Sequence, residues 1–436
     1  MRREKLTIKK LGINGEGIGY IDKKICFIKN ALVGEEVEVE VDVEERRYML
    51  AHVTNYLQKS SARVDPVCNE TRNCMGCALM HMNYLDQLPY KKGLIKDAIA
   101  KYTSFDPERL NVKPVLACET PLKYRHYVAF PITYFAGEVR VGIYQRESKF
   151  LTLMDHCPLH TDLINEALVK IQEIFNDHKC RDYNDKIKKG LRFLMVRQFG
   201  DALQVVIVTG MDGIKDDVVK DIEALPYVKS VYYTSNTTKY QDFTLQGYKK
   251  LYGANEMHYH INDHVYAISV KSDIFMNPAQ EEKKIEILKN KIKPEDKVLS
   301  LYCQTGILEM ELPNDIVAID ESKFNIEDAK KNALSHGCEN KKFIMANMDE
   351  EVAKQCKRNE FDTIIVSLRK EYMSEFITRS IKLGKIKNVI LISDNASALA
   401  KGIHELEDHY KISLVEGFDM EPYTARVESM ITLTRR

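Results

Sequence analysis

The chain has 436 residues, 44% of them hydrophobic and 29% charged, which sets it among multidomain globular proteins and apart from disordered or fibrous ones. Lys and Arg together number 64 and so do Asp and Glu, so no net charge draws the whole molecule to nucleic acid, and any such contact has to come from local patches. No run of about 18 apolar residues occurs, and none follows the basic start MRREKLTIKK, so neither a membrane span nor a secretion signal is predicted and a cytoplasmic protein is expected.

Residues 5–57 alternate apolar and polar with glycine punctuation, most clearly in EEVEVEVDVEE, and predict a small β-barrel of short strands. Residues 58–84 are turn-rich and carry cysteines. A helical pattern follows over about 86–103. From about 112 to 272, strand-like runs (YVAFPITYF, VRVGIY, FLMVRQF, LQVVIV) are separated by the helix-like DLINEALVKIQEIF, which predicts an α+β domain. From about 280 helix and strand alternate through KVLSLYC, DIVAID, FDTIIVSL and NVILIS, the pattern of a doubly wound parallel sheet.

Cys68, Cys74 and Cys77 lie in VCNETRNCMGCALMH at C-x5-C-x2-C spacing, and Cys157 in DHCPLH is a candidate fourth ligand. In a chain with no secretion signal, bunched cysteines point to metal before disulfides. Four thiolates could hold a 4Fe–4S cluster or a zinc ion, and spacing alone leaves the two open. The other six cysteines are scattered singly and read as small buried hydrophobes.

The barrel text GEGIGYIDKKICFIKNALVGEEVEVEV, the stretch SARVDPVCNETRNCMGCALMHMNYLDQLPYKKGLI, then YRHYVAFPI, SDIFMNPAQ and FDMEPYTARVESMITL together resemble the RNA uracil-C5 methyltransferases that join a TRAM domain to a 4Fe–4S cluster. The resemblance covers nearly the whole chain. It implies a TRAM barrel over 1–58, a central α+β unit over 59–272 that carries the cluster on Cys68, Cys74, Cys77 and Cys157, and a Rossmann-like class I S-adenosylmethionine (SAM) domain over 273–436. It also implies a monomer whose partner is structured RNA, either rRNA or tRNA.

Uracil C5 attacks a sulfonium methyl group only after a thiolate has added to C6, and a base must then remove the C5 proton. In the family the thiolate sits in a Ser-Cys-Asn-Pro turn. Here the matching text is VILISDNASALA, with Asp394 at the nucleophile position between Ser393 and Asn395. A carboxylate is too weak a nucleophile toward that carbon to replace it. Other departures agree: Gln304 stands at the first glycine of the SAM loop, Phe275 at a cofactor-contacting glutamine, Val366-Ser367-Leu368-Arg369 at Asp-Pro-Pro-Arg, and Arg426 at a histidine two residues before Glu428, the remnant of the base. Tyr302, Asp320 and Asn347 persist as candidate cofactor contacts, which leaves SAM binding open.

Basic and aromatic residues that could meet RNA are Tyr20, Arg46, Arg47, Tyr48, Lys59, Arg63, Lys186, Lys188, Lys189 and Arg192. The expected function is an RNA-binding protein of this family, carrying the cluster but lacking uracil-C5 transfer. Alternatives are an active rRNA or tRNA methyltransferase with a divergent site and an iron- or redox-responsive RNA-binding protein.

Overall fold

The computed structural model describes residues 2–74, 76–145, 150–239, 243, 247–358, 360–368 and 372–436. At the N-terminus six strands form one sheet in the order Arg3–Thr7, Glu36–Glu44, Tyr48–Gln58, Lys24–Lys29, Gly17–Ile21, Lys10–Leu11. The period-two text sets its inside: Val37 and Val39 are fully buried with Ile8, Cys26, Ile28 and Met49, while the intervening glutamates face out. Below this core Glu35, itself buried, accepts hydrogen bonds from the backbone of Leu32 (2.8 Å) and Ser60 (3.2 Å) and from Arg63 Nη2 (2.8 Å). At the barrel's turn Gly15, at φ +84°, sits against Ala78, Leu79 and Ala425, where a Cβ would come within 2.9 Å of Ala78. Tyr90 clamps the same turn by donating to the Gly12 carbonyl at 2.6 Å.

The linker helix Tyr84–Tyr102 starts where the Asn83 side chain accepts from the Leu85 amide. Its buried residues Gln87, Lys91, Ile95, Ala98 and Ile99 fall on one face at helical spacing. Ile95 and Ile99 enter the core of the C-terminal domain. Lys91, fully buried, pairs with the equally buried Asp419 at 2.5 Å and donates to the Glu421 carbonyl at 3.1 Å.

The central domain is a mixed sheet of seven strands, ordered Lys249–Gly253, Val228–Ser235, Ala202–Thr209, Leu191–Phe199, Tyr127–Phe135, Glu138–Tyr144, Leu151–Leu153. Helix Asp162–Asp177, capped by Thr161, lays Ile164, Leu168, Ile171 and Phe175 on one face of it. Side-chain alternation divides the strand Leu191–Phe199 between two environments. Leu194 and Val196 join that helix-covered core, whereas Phe193 and Met195 point to the opposite face with Val206, Val208 and Tyr232.

The hairpin Glu256–Ile261 and His264–Ser269 leads into the C-terminal domain, a seven-stranded sheet ordered Lys341–Met345, Ile316–Asp320, Val298–Leu301, Thr363–Leu368, Asn388–Ser393, Glu428–Arg435, Tyr410–Phe418. The first five strands are parallel; the last two run antiparallel to their neighbours. In chain order this is 3-2-1-4-5-7-6, and the order reverses between Val298–Leu301 and Thr363–Leu368, where open α/β sheets take their ligands. No helix among the described residues is long and apolar enough to cross a membrane.

The iron–sulfur element of the expected fold is corrected. Among the described residues no group of three or more His, Cys, Asp or Glu side chains stands where it could hold a metal ion. Cys157 belongs to the helix-covered core of the central sheet, and Cys68, Cys74 and Cys77 pack against it as free thiols. Burial pushes the Cys77 thiol up to about 12 and raises Cys74 and Cys157 as well.

Candidate functional site

A cleft of about 550 Å³ opens between the central sheet and the C-terminal domain. Its central wall is the face that carries Met195, with Tyr127, Phe243 and Tyr248 beside it; the opposite wall carries Phe275, Leu368, Asp394, Arg426 and Glu428. Sequence sets this division twice: through the strand alternation of 191–199 and through the turns that follow the parallel strands.

Asp394 ends the strand Asn388–Ser393. Ser393 Oγ accepts from the Asn395 amide at 3.1 Å, and the Asn395 side chain accepts from Ala398 at 3.0 Å to start the helix Ala396–Leu406. The strand-turn-helix geometry thus survives and presents Asp394 to the cleft. Burial raises its carboxyl, Arg426 draws it back, and Glu428 and Glu421 push it further up. Arg426 Nη1 lies 3.7 Å from Asp394 and 3.5 Å from Glu421.

Glu428 is already engaged. Its Oε1 accepts from Lys284 at 2.7 Å, and Lys284 reaches Glu281 at the same distance. Burial alone would depress the Lys284 ammonium, but the two carboxylates outweigh it and hold it above its ordinary range. Lys284 was not singled out from sequence, where only its i,i+3 spacing from Glu281 gave a sign of it.

The cofactor loop keeps a glycine-like backbone with few glycines. Tyr302, Gln304 and Gly306 adopt φ of +60°, +51° and +69°. A Cβ on Gly306 would come within 2.3 Å of Phe343, so packing as well as conformation keeps that glycine. Asp320 spends one oxygen on the Gln304 amide (2.9 Å) and the other on Ser322 (2.8 Å), and Asn347 caps the helix Met348–Cys356 by accepting from Glu350 at 3.2 Å. Asn277 likewise caps Pro278–Lys289. Arg369 lies outside the described residues.

The space beside this loop, lined by Tyr302, Gln304, Ser367 and Leu368 among others, amounts to about 70 Å³. Sites for ligands of cofactor size are on the order of 300–1,000 Å³. Phe275, at the glutamine position, edges this space and packs on Tyr259 with ring centroids 5.8 Å apart. This space shares Phe275, Glu281, Leu368 and Glu428 with the cleft of about 550 Å³, and neither Asp320 nor Asn347 lines it.

Of the candidate RNA contacts, Arg63 is committed to Glu35 and Arg192 to Asn236 (2.6 and 2.7 Å), whereas Arg46, Arg47, Tyr48 and Tyr20 are exposed on the barrel.

A barrel fused through a mixed domain to a 3-2-1-4-5-7-6 sheet, with a ligand cleft at the strand ends, defines a methyltransferase-type architecture with an appended small β-barrel. Residues 2–54 match the TRAM domain family and residues 292–430 a methyltransferase domain family. An uncharacterized RNA methyltransferase of Bacillus cereus is 30% identical over 448 residues, covering 99% of this chain and 96% of that protein. One of Streptococcus pyogenes serotype M1 is 28% identical over 440 residues, covering 99% and 98%. The solved Pyrococcus abyssi tRNA (uracil-54, C5)-methyltransferase shares the fold at TM-score 0.79 and 21% identity, covering 99% of this chain and 100% of that one. The chain belongs to the SAM-dependent RNA methyltransferase family with a TRAM domain. The cluster expected alongside that membership on Cys68, Cys74, Cys77 and Cys157, and the iron- or redox-responsive alternative built on it, fall with the absence of a metal-holding group among the described residues.

Proposed function

We propose that this chain binds structured RNA, rRNA or tRNA, and receives an unpaired nucleotide in its cleft without methylating uracil C5. One observation carries the reading: Asp394 occupies the tip of the strand Asn388–Ser393, and no cysteine is among the described residues that line the cleft. Cys303, which follows the first strand of the C-terminal sheet, lines the small cavity beside the loop instead, and burial raises its thiol well above the ordinary value. A pyrimidine ring in the cleft thus meets a carboxylate where the chemistry calls for a thiolate. The replacements at Phe275, Gln304 and Arg426 support the same reading. It takes residues 1–58 as the RNA-gripping barrel, 59–272 as the central unit and 273–436 as the cleft's other wall, in a cytoplasmic monomer.

The test incubates the purified protein with methyl-labelled SAM and total rRNA or tRNA and measures both label in RNA and RNA retained on filters. Retention without label is expected. Reproducible label in RNA would overturn the reading.

A further inference from the structure

The exchange that removes a nucleophile from the cleft also changes which base the cleft can read. A carboxylate offers only acceptors, on two oxygens held in a plane. Among the described residues Asp394 makes its only ion pair with Arg426, loosely, at 3.7 Å, and it stays about one-third exposed toward the cleft. Two other carboxylates of the cleft are more closely held, Glu428 by Lys284 at 2.7 Å and Asp273 by the Asn325 amide at 3.0 Å, while Glu421 shares Arg426 at 3.5 Å. Arg426 is well exposed, at 63%, and brings a fork of donors beside the Asp394 acceptors.

Acceptors next to donors define an edge. Uracil presents a carbonyl, one N–H and a second carbonyl, so one of its oxygens would face a carboxylate oxygen without a proton between them. Guanine presents a carbonyl, then an N–H, then an amino group. Its two parallel donors match the two carboxylate oxygens in the manner of a guanidinium fork, which leaves its O6 for a neighbouring donor such as Arg426. The aromatic side chains of the cleft, Tyr127, Phe243 and Phe275, supply faces for stacking a base brought out of its helix.

We propose that the cleft selects guanine, with Asp394 accepting from N1–H and the amino group and Arg426 donating to O6. The proposal rests on the reading of the chain as an RNA-binding protein with no transfer to uracil C5.

The experiment titrates the full-length protein with single-stranded uridine heptanucleotides whose central residue is guanosine, cytidine, adenosine or uridine, followed by calorimetry. The guanosine oligomer should bind about tenfold more tightly than the all-uridine one, in line with 1–3 kcal/mol for a bidentate base contact. Asp394→Asn, which replaces one acceptor by a donor, should bring the two close to parity, and Arg426→Gln should weaken the guanosine oligomer several-fold. Both side chains reach solvent, and circular dichroism checks that each variant is folded. Equal or tighter binding of the uridine, cytidine or adenosine oligomer, no binding of any oligomer, or an unchanged preference in Asp394→Asn would overturn the guanine assignment. Filter retention of total RNA and the methyl-label assay are separate readouts, so that outcome leaves the functional reading to stand or fall by itself.

Discussion

At the scale of single residues, the site is set by who holds each carboxylate. Glu428 and Glu281 share the buried Lys284, so replacing that lysine leaves two partly buried negative charges facing each other. Lys284→Ala should lower stability by about 3 kcal/mol, the low end of what breaking a buried pair costs, as measured by the midpoint of urea unfolding. A midpoint within error of the parent would contradict the pairing. Restoring a thiol at the strand tip alone should not restore transfer either, because Phe275 and Arg426 still stand in place of the family's glutamine and histidine. The Asp394→Cys variant is expected to put no label from SAM into RNA, and labelled uridine in a nuclease digest would show that these replacements do not block transfer. Glu35 gives a pH signature. Burial pulls its carboxyl up, but Arg63 and the Leu32 and Ser60 amides outweigh this and hold it below its ordinary value of 4.5. A depressed carboxyl stabilises the fold fully above that ordinary value and loses the contribution as pH falls through the lower, folded one. Glu35→Gln should therefore flatten the loss of thermal stability below about pH 4.5, where the parent declines more steeply.

At the scale of elements, the linker helix is fixed to the last sheet by Lys91 and Asp419, both fully buried. Lys91→Met strands a buried charge and should cost about 3–5 kcal/mol, whereas Lys91→Met with Asp419→Leu should recover much of it, which a double-mutant cycle in urea would measure. Such pairs join residues 328 positions apart and leave no trace in local pattern. What the sequence did make legible is local. The alternation in EEVEVEVDVEE, which includes Val37 and Val39, predicted the barrel's strands, the alternation of helix and strand through FDTIIVSL and NVILIS predicted the parallel sheet, and the turn at Asp394 was placed by the family resemblance. The hairpin 256–269 and the last two antiparallel strands were not, because their identity depends on distant pairing partners. The cysteines misled for a related reason. Their spacing carries no information about the apolar core that Cys157 joins.

At the scale of the whole molecule, equal numbers of acidic and basic residues mean that RNA affinity comes from a few local contacts. A plot of log affinity against log salt should have a slope of about −2 to −4, as for roughly three to five phosphates on a single strand. Arg46→Ala with Arg47→Ala should make it shallower by about 1.4 at most, since each phosphate contact contributes about 0.7. A slope that does not move in filter-binding assays would remove the barrel from the interface. The barrel's position has a further consequence. Its turn at Gly15 is wedged against Ala425, the residue before Arg426, and Tyr90 clamps it there. Barrel and cleft are thereby kept at one separation, like the jaws of a caliper. On the proposed reading, an RNA gripped by the first would be presented to the second at a set distance along its strand, so the choice of nucleotide would depend on the shape of the RNA around it as well as on the base itself.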